Sequence, residues 1–171
     1  EIKDAISYLR IINQKFDDLA LERVIGAPKR GVGDATLKKI YEFGAQKKLC
    51  LEDAIISLIE LDQLKPKIKK TFSTLIKMIE KWRNEAKTIK HYDLLKLILD
   101  ESGYSYAIKN KKDLENENRL ENLKELIRAM QDYDNLQNFL EHVSLATSAD
   151  KEWEGEKVNL MTMHAAKGLE F

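Results

Sequence analysis

Two stretches of this chain carry residue types and spacings that could do chemistry. The first is "APKRGVGDATLKKI", where Lys29, Arg30, Gly31, Val32 and Gly33 run without a gap into Asp34 and Thr36. The first backbone N–H groups of a helix have no intrahelical partner, and the aligned peptide dipoles add partial positive charge there. A phosphate suits such a terminus. Gly31 and Gly33 have no Cβ, so the backbone can turn tightly and lie close to a phosphate oxygen. Val32 between them is expected to point inward. Lys29 and Arg30 add charge, and the Thr36 hydroxyl would sit on the first turn of a helix capped by Asp34. This pattern suits contact with a nucleic-acid backbone irrespective of sequence, in the manner of a helix-hairpin-helix element. An ordinary helix-to-helix turn that uses glycine for its geometry is the competing reading. A Walker-type nucleotide loop is excluded, because the glycines are not followed by the required Gly-Lys-Ser/Thr and no strand precedes them.

The second stretch is "LMTMHAAKGLEF", which places Thr162, His164, Lys167, Gly168 and Glu170 behind a short run of β-forming residues. Polar groups at the C-terminal end of a strand in an α/β sheet commonly face a ligand crevice. Here one strand, "KVNLMTM", stands without a sheet, so its partners are expected outside this chain. His91 and His142 are isolated on helical patterns and the chain has a single cysteine, Cys50. That excludes an internal disulfide and an all-cysteine metal site, and we assign no metal ligands and no catalytic residues. Cys50 lies between Leu49 and Leu51 and is expected to be a buried, unreactive thiol.

The elements that must position these groups read as helices. Ile2, Ile6, Leu9 and Ile12 recur at helical spacing. Leu19, Leu21, Val24 and Ile25 form a second apolar face behind an Asp17 or Asp18 cap, and Pro28 ends it. Leu37, Ile40 and Tyr41, with Phe43 or Gly44, line the inner side of the helix after the glycines. "LEDAIISLIE" follows, capped near residues 51–53. Ile68, Phe72, Leu75, Ile79 and Trp82 make one continuous stripe behind Pro66, which a first helical turn tolerates. "HYDLLKLILDESGY" stops at Gly103. "RLENLKELIRAM", through Leu120, Leu123, Ile127 and Met130, and "NLQNFLEHVSLA" complete the set. The fold class is therefore all-α, a helical bundle with a helix-hairpin-helix-like element and one orphan β-strand near the C-terminus.

The 171 residues include 34% charged and 43% hydrophobic side chains, with seven Gly and two Pro, which suits a helix-rich globule. No apolar run approaches membrane-spanning length and no signal-peptide pattern is present, so a cytoplasmic protein without membrane contact is expected. Formal net charge is zero, yet residues 65–90 hold nine Lys or Arg against Glu80 and Glu85. A local basic face, or simply a solvated helix surface, follows from that imbalance.

In order along the chain, "EIKDAISYLRIIN", "PKRGVGDATLKKI", "ESGY", "NRLENLKEL" and "VNLMTMHAAKGLEF" resemble the UvrD/PcrA/Rep family of superfamily 1 DNA helicases. The last stretch looks like helicase motif V and is the most specific; the glycine loop is second. The resemblance covers essentially the whole chain and implies its organisation. Residues 15–155 would be the helical accessory subdomain 2B, inserted into the RecA-like domain 2A. Residues 1–14 and 156–171 would be stubs of 2A, which would account for two ends that do not read like natural boundaries.

By the same resemblance Lys29, Arg30, Gly31, Val32, Gly33 and Thr36 would contact duplex DNA. Thr162, His164, Lys167, Gly168 and Glu170 would line the single-strand track and reach the nucleotide in the full-length enzyme. Arg119, Glu121 and Asn122 match a helical signature for which a salt-bridge or packing role is expected. The partners implied are a duplex/single-strand DNA junction, the remaining helicase domains 1A, 1B and 2A, and regulatory proteins. ATP and Mg would belong to the full-length, 3′-to-5′ translocating enzyme. This fragment would bind neither, since it lacks the groups phosphoryl transfer needs. The alternative is a helical protein-interaction module that docks regulatory partners without touching DNA.

Overall fold

The computed structural model describes residues 1–110 and 115–149, with side chains through residue 146. Among these residues every regular element is helical: α1 (Ile2–Asn13), α2 (Asp18–Gly26), α3 (Asp34–Lys47), α4 (Leu51–Glu60), α5 (Pro66–Glu85), α6 (His91–Glu101), α7 (Tyr104–Lys109), α8 (Asn116–Ala129), a 3-10 turn (Met130–Asp132) and α9 (Leu136–Ala149). The all-α expectation holds for this part. The expected strand at residues 157–163 lies outside the described residues.

Helix α1 occupies the middle of the bundle, packing against α2, α5, α6, α8 and α9. Its residues Ala5, Tyr8, Leu9, Ile11 and Ile12 are buried. Around them gather Leu21, Val24 and Ile25 of α2, Ile55 and Leu58 of α4, Phe72, Leu75, Ile79 and Trp82 of α5, and Leu95 and Ile98 of α6. Each such side chain contributes roughly 1.5–3 kcal/mol relative to exposure. The stripe read along α5 is thus the face that meets the core, with Ile68 at its margin. Tyr8 sits edge-on to both Trp82 and Tyr104, with ring centroids 5.9 and 6.3 Å away.

Polar groups tie the helices at specific points. Arg83 forms a bidentate pair with Glu52, Nη1 to Oε1 at 2.6 Å and Nη2 to Oε2 at 2.7 Å. The same guanidinium donates to the Ile11 carbonyl at 2.7 and 3.2 Å. That carbonyl belongs to the last turn of α1, where carbonyls lack intrahelical partners. One side chain thereby joins α1, α4 and α5. The Tyr104 hydroxyl donates to Asp4 Oδ2 at 2.5 Å, and Asp4 Oδ1 accepts from Arg23 at 2.5 Å. Burial, then the Asp4 carboxylate, holds the Tyr104 phenol protonated well above its ordinary range.

The structure keeps Asp17 as the α2 cap and departs from the sequence reading at two other caps, one apolar face and one added helix. Asp17 caps α2, accepting from the Ala20 amide at 3.0 Å, while Asp18 reaches across the fold to accept from the Leu51 amide at 2.9 Å. The start of α4 is therefore capped by a residue 33 positions away, a choice that local spacing does not reveal. Leu19, expected on an apolar face, is 79% exposed, because α2 turns its Ala20, Leu21, Val24 and Ile25 side inward instead. The cap of α3 is Gly33, in extended conformation, and Asp34 is an exposed first-turn residue. A short helix, α7, is added where the spacing predicts none; Gly103, at φ 74°, both ends the α6 segment and opens α7. Asp18→Ala is expected to cost about 1 kcal/mol, the usual worth of a lost cap, read as a lower urea midpoint with an unchanged m-value.

Candidate nucleic-acid interface

The glycine loop spans the gap between α2 and α3. Helix α2 stops at Gly26, and Ala27 is extended at φ −132°, ψ 106°, as the residue before a proline should be. Gly31 adopts φ 73°, a left-handed conformation that costs other residues roughly 1–2 kcal/mol. Its glycine is required by the turn. Gly33 differs. Its backbone is extended at φ −95°, ψ 166°, and a Cβ added there would meet nothing within 4 Å. Neither the chain's own geometry nor crowding calls for glycine at this position.

Helix α3 begins with no side-chain cap; the Gly33 carbonyl takes the Thr36 and Leu37 amides at 2.9 and 3.2 Å. Gly31, Gly33, Asp34 and Ala35 are all exposed, so an uncapped helix start lies at the surface beside a backbone without side chains. Val32 points inward as expected, packing against the core, and Thr36 is half-buried on the first turn.

The two cations of the loop have different jobs. Lys29 is exposed and makes no ion pair among the described residues. Arg30 turns back into the protein. Its Nη2 donates to the Tyr8 hydroxyl at 2.7 Å, and its Nη1 donates to the Pro28 carbonyl at 3.1 Å and to the Val24 carbonyl. Tyr8, fully buried, donates in turn to the Ala27 carbonyl at 2.7 Å. Carbonyls at the end of α2 thus find a charged donor, and the loop is fastened to the central helix. On its far side α3 is tied to α2 by Tyr41, whose hydroxyl donates to Glu22 at 2.5 Å. Burial first, and the Glu22 carboxylate second, push the Tyr41 phenol up. A rigid frame therefore presents Lys29, Gly31 and Gly33 outward.

The other candidates fall elsewhere. Thr162, His164, Lys167, Gly168 and Glu170 lie outside the described residues. Glu121 pairs with Lys124 at 2.8 Å and Arg128 at 3.4 Å, and Asn122 donates to Glu1 at 2.7 Å, joining α8 to the start of α1. Arg119 pairs with Glu115 one turn back at 3.4 Å. Arg119 and Glu121 thus make ion pairs, and Asn122 makes an exposed hydrogen bond between helices. His91 is buried and shares a 2.7 Å hydrogen bond with the Met130 carbonyl. Cys50 is half-buried, and desolvation raises its pKa. Among the described residues no group of three or more His, Cys, Asp or Glu could hold a metal ion, and no helix is long and apolar enough to cross a membrane. Residues that sequence reasoning passed over are Tyr8, Glu52 and Arg83. Tyr8 sits on the apolar side of α1 in a sequence that marks it in no other way.

Comparison with known proteins decides the family. The profile of the UvrD-like helicase C-terminal domain matches residues 1–171. The chain belongs to that family. Among its relatives, a probable DNA helicase II homolog of Rickettsia felis is 36% identical over 173 residues, covering all of this chain and 26% of that protein. An ATP-dependent DNA helicase PcrA of Staphylococcus epidermidis is 34% identical over 179 residues, covering all of this chain and 24% of that protein. The chain spans about a quarter of the length of these curated relatives. As a UvrD-like helicase C-terminal region it carries the glycine loop on the α2–α3 corner, fastened from inside by Arg30.

Proposed function

We propose that this chain is the accessory 2B subdomain of an ATP-dependent 3′-to-5′ DNA helicase, flanked by stubs of domain 2A, and that the α2–α3 loop contacts the duplex backbone. One observation carries the reading: Gly33, at an uncapped, exposed helix start, is a glycine that the fold itself does not require. A bare backbone there leaves room for a phosphate oxygen to approach the first amides of α3. Lys29 supplies a free cation beside it, and Arg30 holds the loop in shape from behind. Contacts of this kind position a protein on DNA without reading its sequence. Because α1 lies within the bundle, movement of the neighbouring 2A domain would be passed to the loop through Tyr8 and Arg30.

ATP and Mg belong, in this reading, to the motor domains. The residues present do not fit them, since the sequence has no phosphate-binding loop and no acidic metal-binding motif. The role of this chain is to bind and orient the duplex. The residues of 162–170 would serve the single-strand track once joined to their sheet.

The test separates the loop's fold from its contact. Binding of the 171-residue chain to a labelled duplex with a 3′ single-stranded tail is followed by anisotropy from low to moderate salt. Lys29→Ala is expected to leave stability within about 0.5 kcal/mol and to reduce the salt slope of log K by about 1. Gly33→Ser is expected to hold or slightly raise stability, since serine is a better N-cap than glycine, while weakening binding by occupying the open side. Undiminished binding by both variants would sink the assignment of the loop. Partner capture without DNA binding would instead favour a module for regulatory proteins.

A further inference from the structure

The loop does not account for the basic stretch at 65–90. On α5 the residues Lys67, Lys70, Thr74 and Lys77 share the outer face, opposite Phe72, Leu75, Ile79 and Trp82, and all four are exposed. None of these three lysines has an ion pair or hydrogen bond through its ammonium group among the described residues. Their neighbours behave differently. Lys69 is neutralised by Asp62 at 2.5 Å, and Lys81 pairs with Glu101. Helix α5 has no acidic residue in its first turn, so Lys67 and Lys70 lie near the positive end of the helix dipole, where a cation is unfavourable. Local helix stability does not explain them.

The position of this face relates it to the loop. Lys39 of α3 donates to the Gln63 carbonyl at 2.9 Å, three residues before α5 begins at Pro66. The Lys39 side chain on the second turn of α3 therefore reaches the loop that leads into α5. At a rise of 1.5 Å per residue, Gly33 lies about 9 Å from Lys39 along α3, and Lys67 about 15 Å from Lys77 along α5. Duplex DNA carries about one charge per 1.7 Å of axis, so a face of that length spans several phosphates. The large hydrophobic side chains that are exposed, Phe16, Leu19, Leu61, Tyr106 and Leu145, all lie off α5. A face of lysines and a threonine without an apolar anchor fits a polyanion better than a protein groove.

We propose that the outer face of α5, through Lys67, Lys70 and Lys77, is a second contact for the DNA phosphate backbone, continuing past α3 the duplex tract held at the glycine loop. The inference rests on the reading of that loop as a duplex contact. Its chemistry is electrostatic and independent of base sequence.

The experiment uses the 171-residue chain, the same tailed duplex and the same salt series. The triple variant Lys67→Gln/Lys70→Gln/Lys77→Gln is compared with a control of equal charge change on other helices, Lys96→Gln/Lys109→Gln/Lys124→Gln. The α5 variant is expected to lower the salt slope by about 2–3, with its urea midpoint unchanged or raised, while the control keeps the wild-type slope. An α5 variant that binds like wild type, while Lys29→Ala and Gly33→Ser weaken binding, would overturn the inference and leave the loop reading intact. Equal losses in both triple variants would also overturn it, by showing that only total charge matters. Absence of binding by the wild-type chain at low salt would overturn the loop reading and this inference with it.

Discussion

Replacing Arg83 with alanine is expected to destabilise the bundle by about 3–5 kcal/mol. Glu52 has a side chain only 3% exposed, and both its oxygens accept from Arg83. Truncation would leave that carboxylate buried without its partner, together with the Ile11 carbonyl at the end of α1. Removing one member of a buried pair costs far more than the pair is worth, because the survivor's desolvation is then uncompensated. The double variant Glu52→Leu/Arg83→Met should accordingly recover much of the loss, keeping only the penalty of about 1 kcal/mol at the orphaned carbonyl. Urea unfolding of the wild type and these two variants checks this. If Arg83→Ala unfolds within about 0.5 kcal/mol of wild type, the pair is not the junction that holds α1, α4 and α5 together.

Arg30→Ala should cost about 2–3 kcal/mol, the range for a charged donor lost from buried acceptors. Its three acceptors are the Val24 and Pro28 carbonyls and the Tyr8 hydroxyl, all part-buried. Because Arg30 and Tyr8 act on the same turn, a double-mutant cycle with Tyr8→Phe should give a coupling of about 0.5–3 kcal/mol. DNA affinity should fall for Arg30→Ala as a consequence of the loosened loop, and rigidity restored elsewhere should recover part of it. A variant as stable as wild type but poor in DNA binding would mean the opposite, that the guanidinium serves the phosphate directly. The contrast with Lys29→Ala is the useful part. Adjacent cations of the same charge are expected to fail in different measurements.

The helices are largely legible in the sequence because burial on one side imposes a period that survives in the residue pattern. The α5 stripe is the clearest case: Phe72, Leu75, Ile79 and Trp82 are buried as their spacing requires. Leu19 shows the limit, since a single apolar residue can satisfy a helical period and still face water. Helix α7 escapes such a pattern because Tyr104–Lys109 is six residues long, too short for a period to accumulate. The loop is legible as a motif, since glycines, a proline and cations are unusual in close sequence. Its internal division of labour is not.

By itself, then, the sequence determined the all-helical character of the described chain and the place of the glycine loop between two helices. Those are properties of local spacing and of residues adjacent along the chain. Only the tertiary structure decided that Arg30 faces inward and Lys29 outward, that Asp18 caps a helix 33 residues on, and that Arg83 meets Glu52 and Ile11. Each depends on which acceptor the fold brings within about 3 Å, and that distance is set by the packing of helices far apart in sequence.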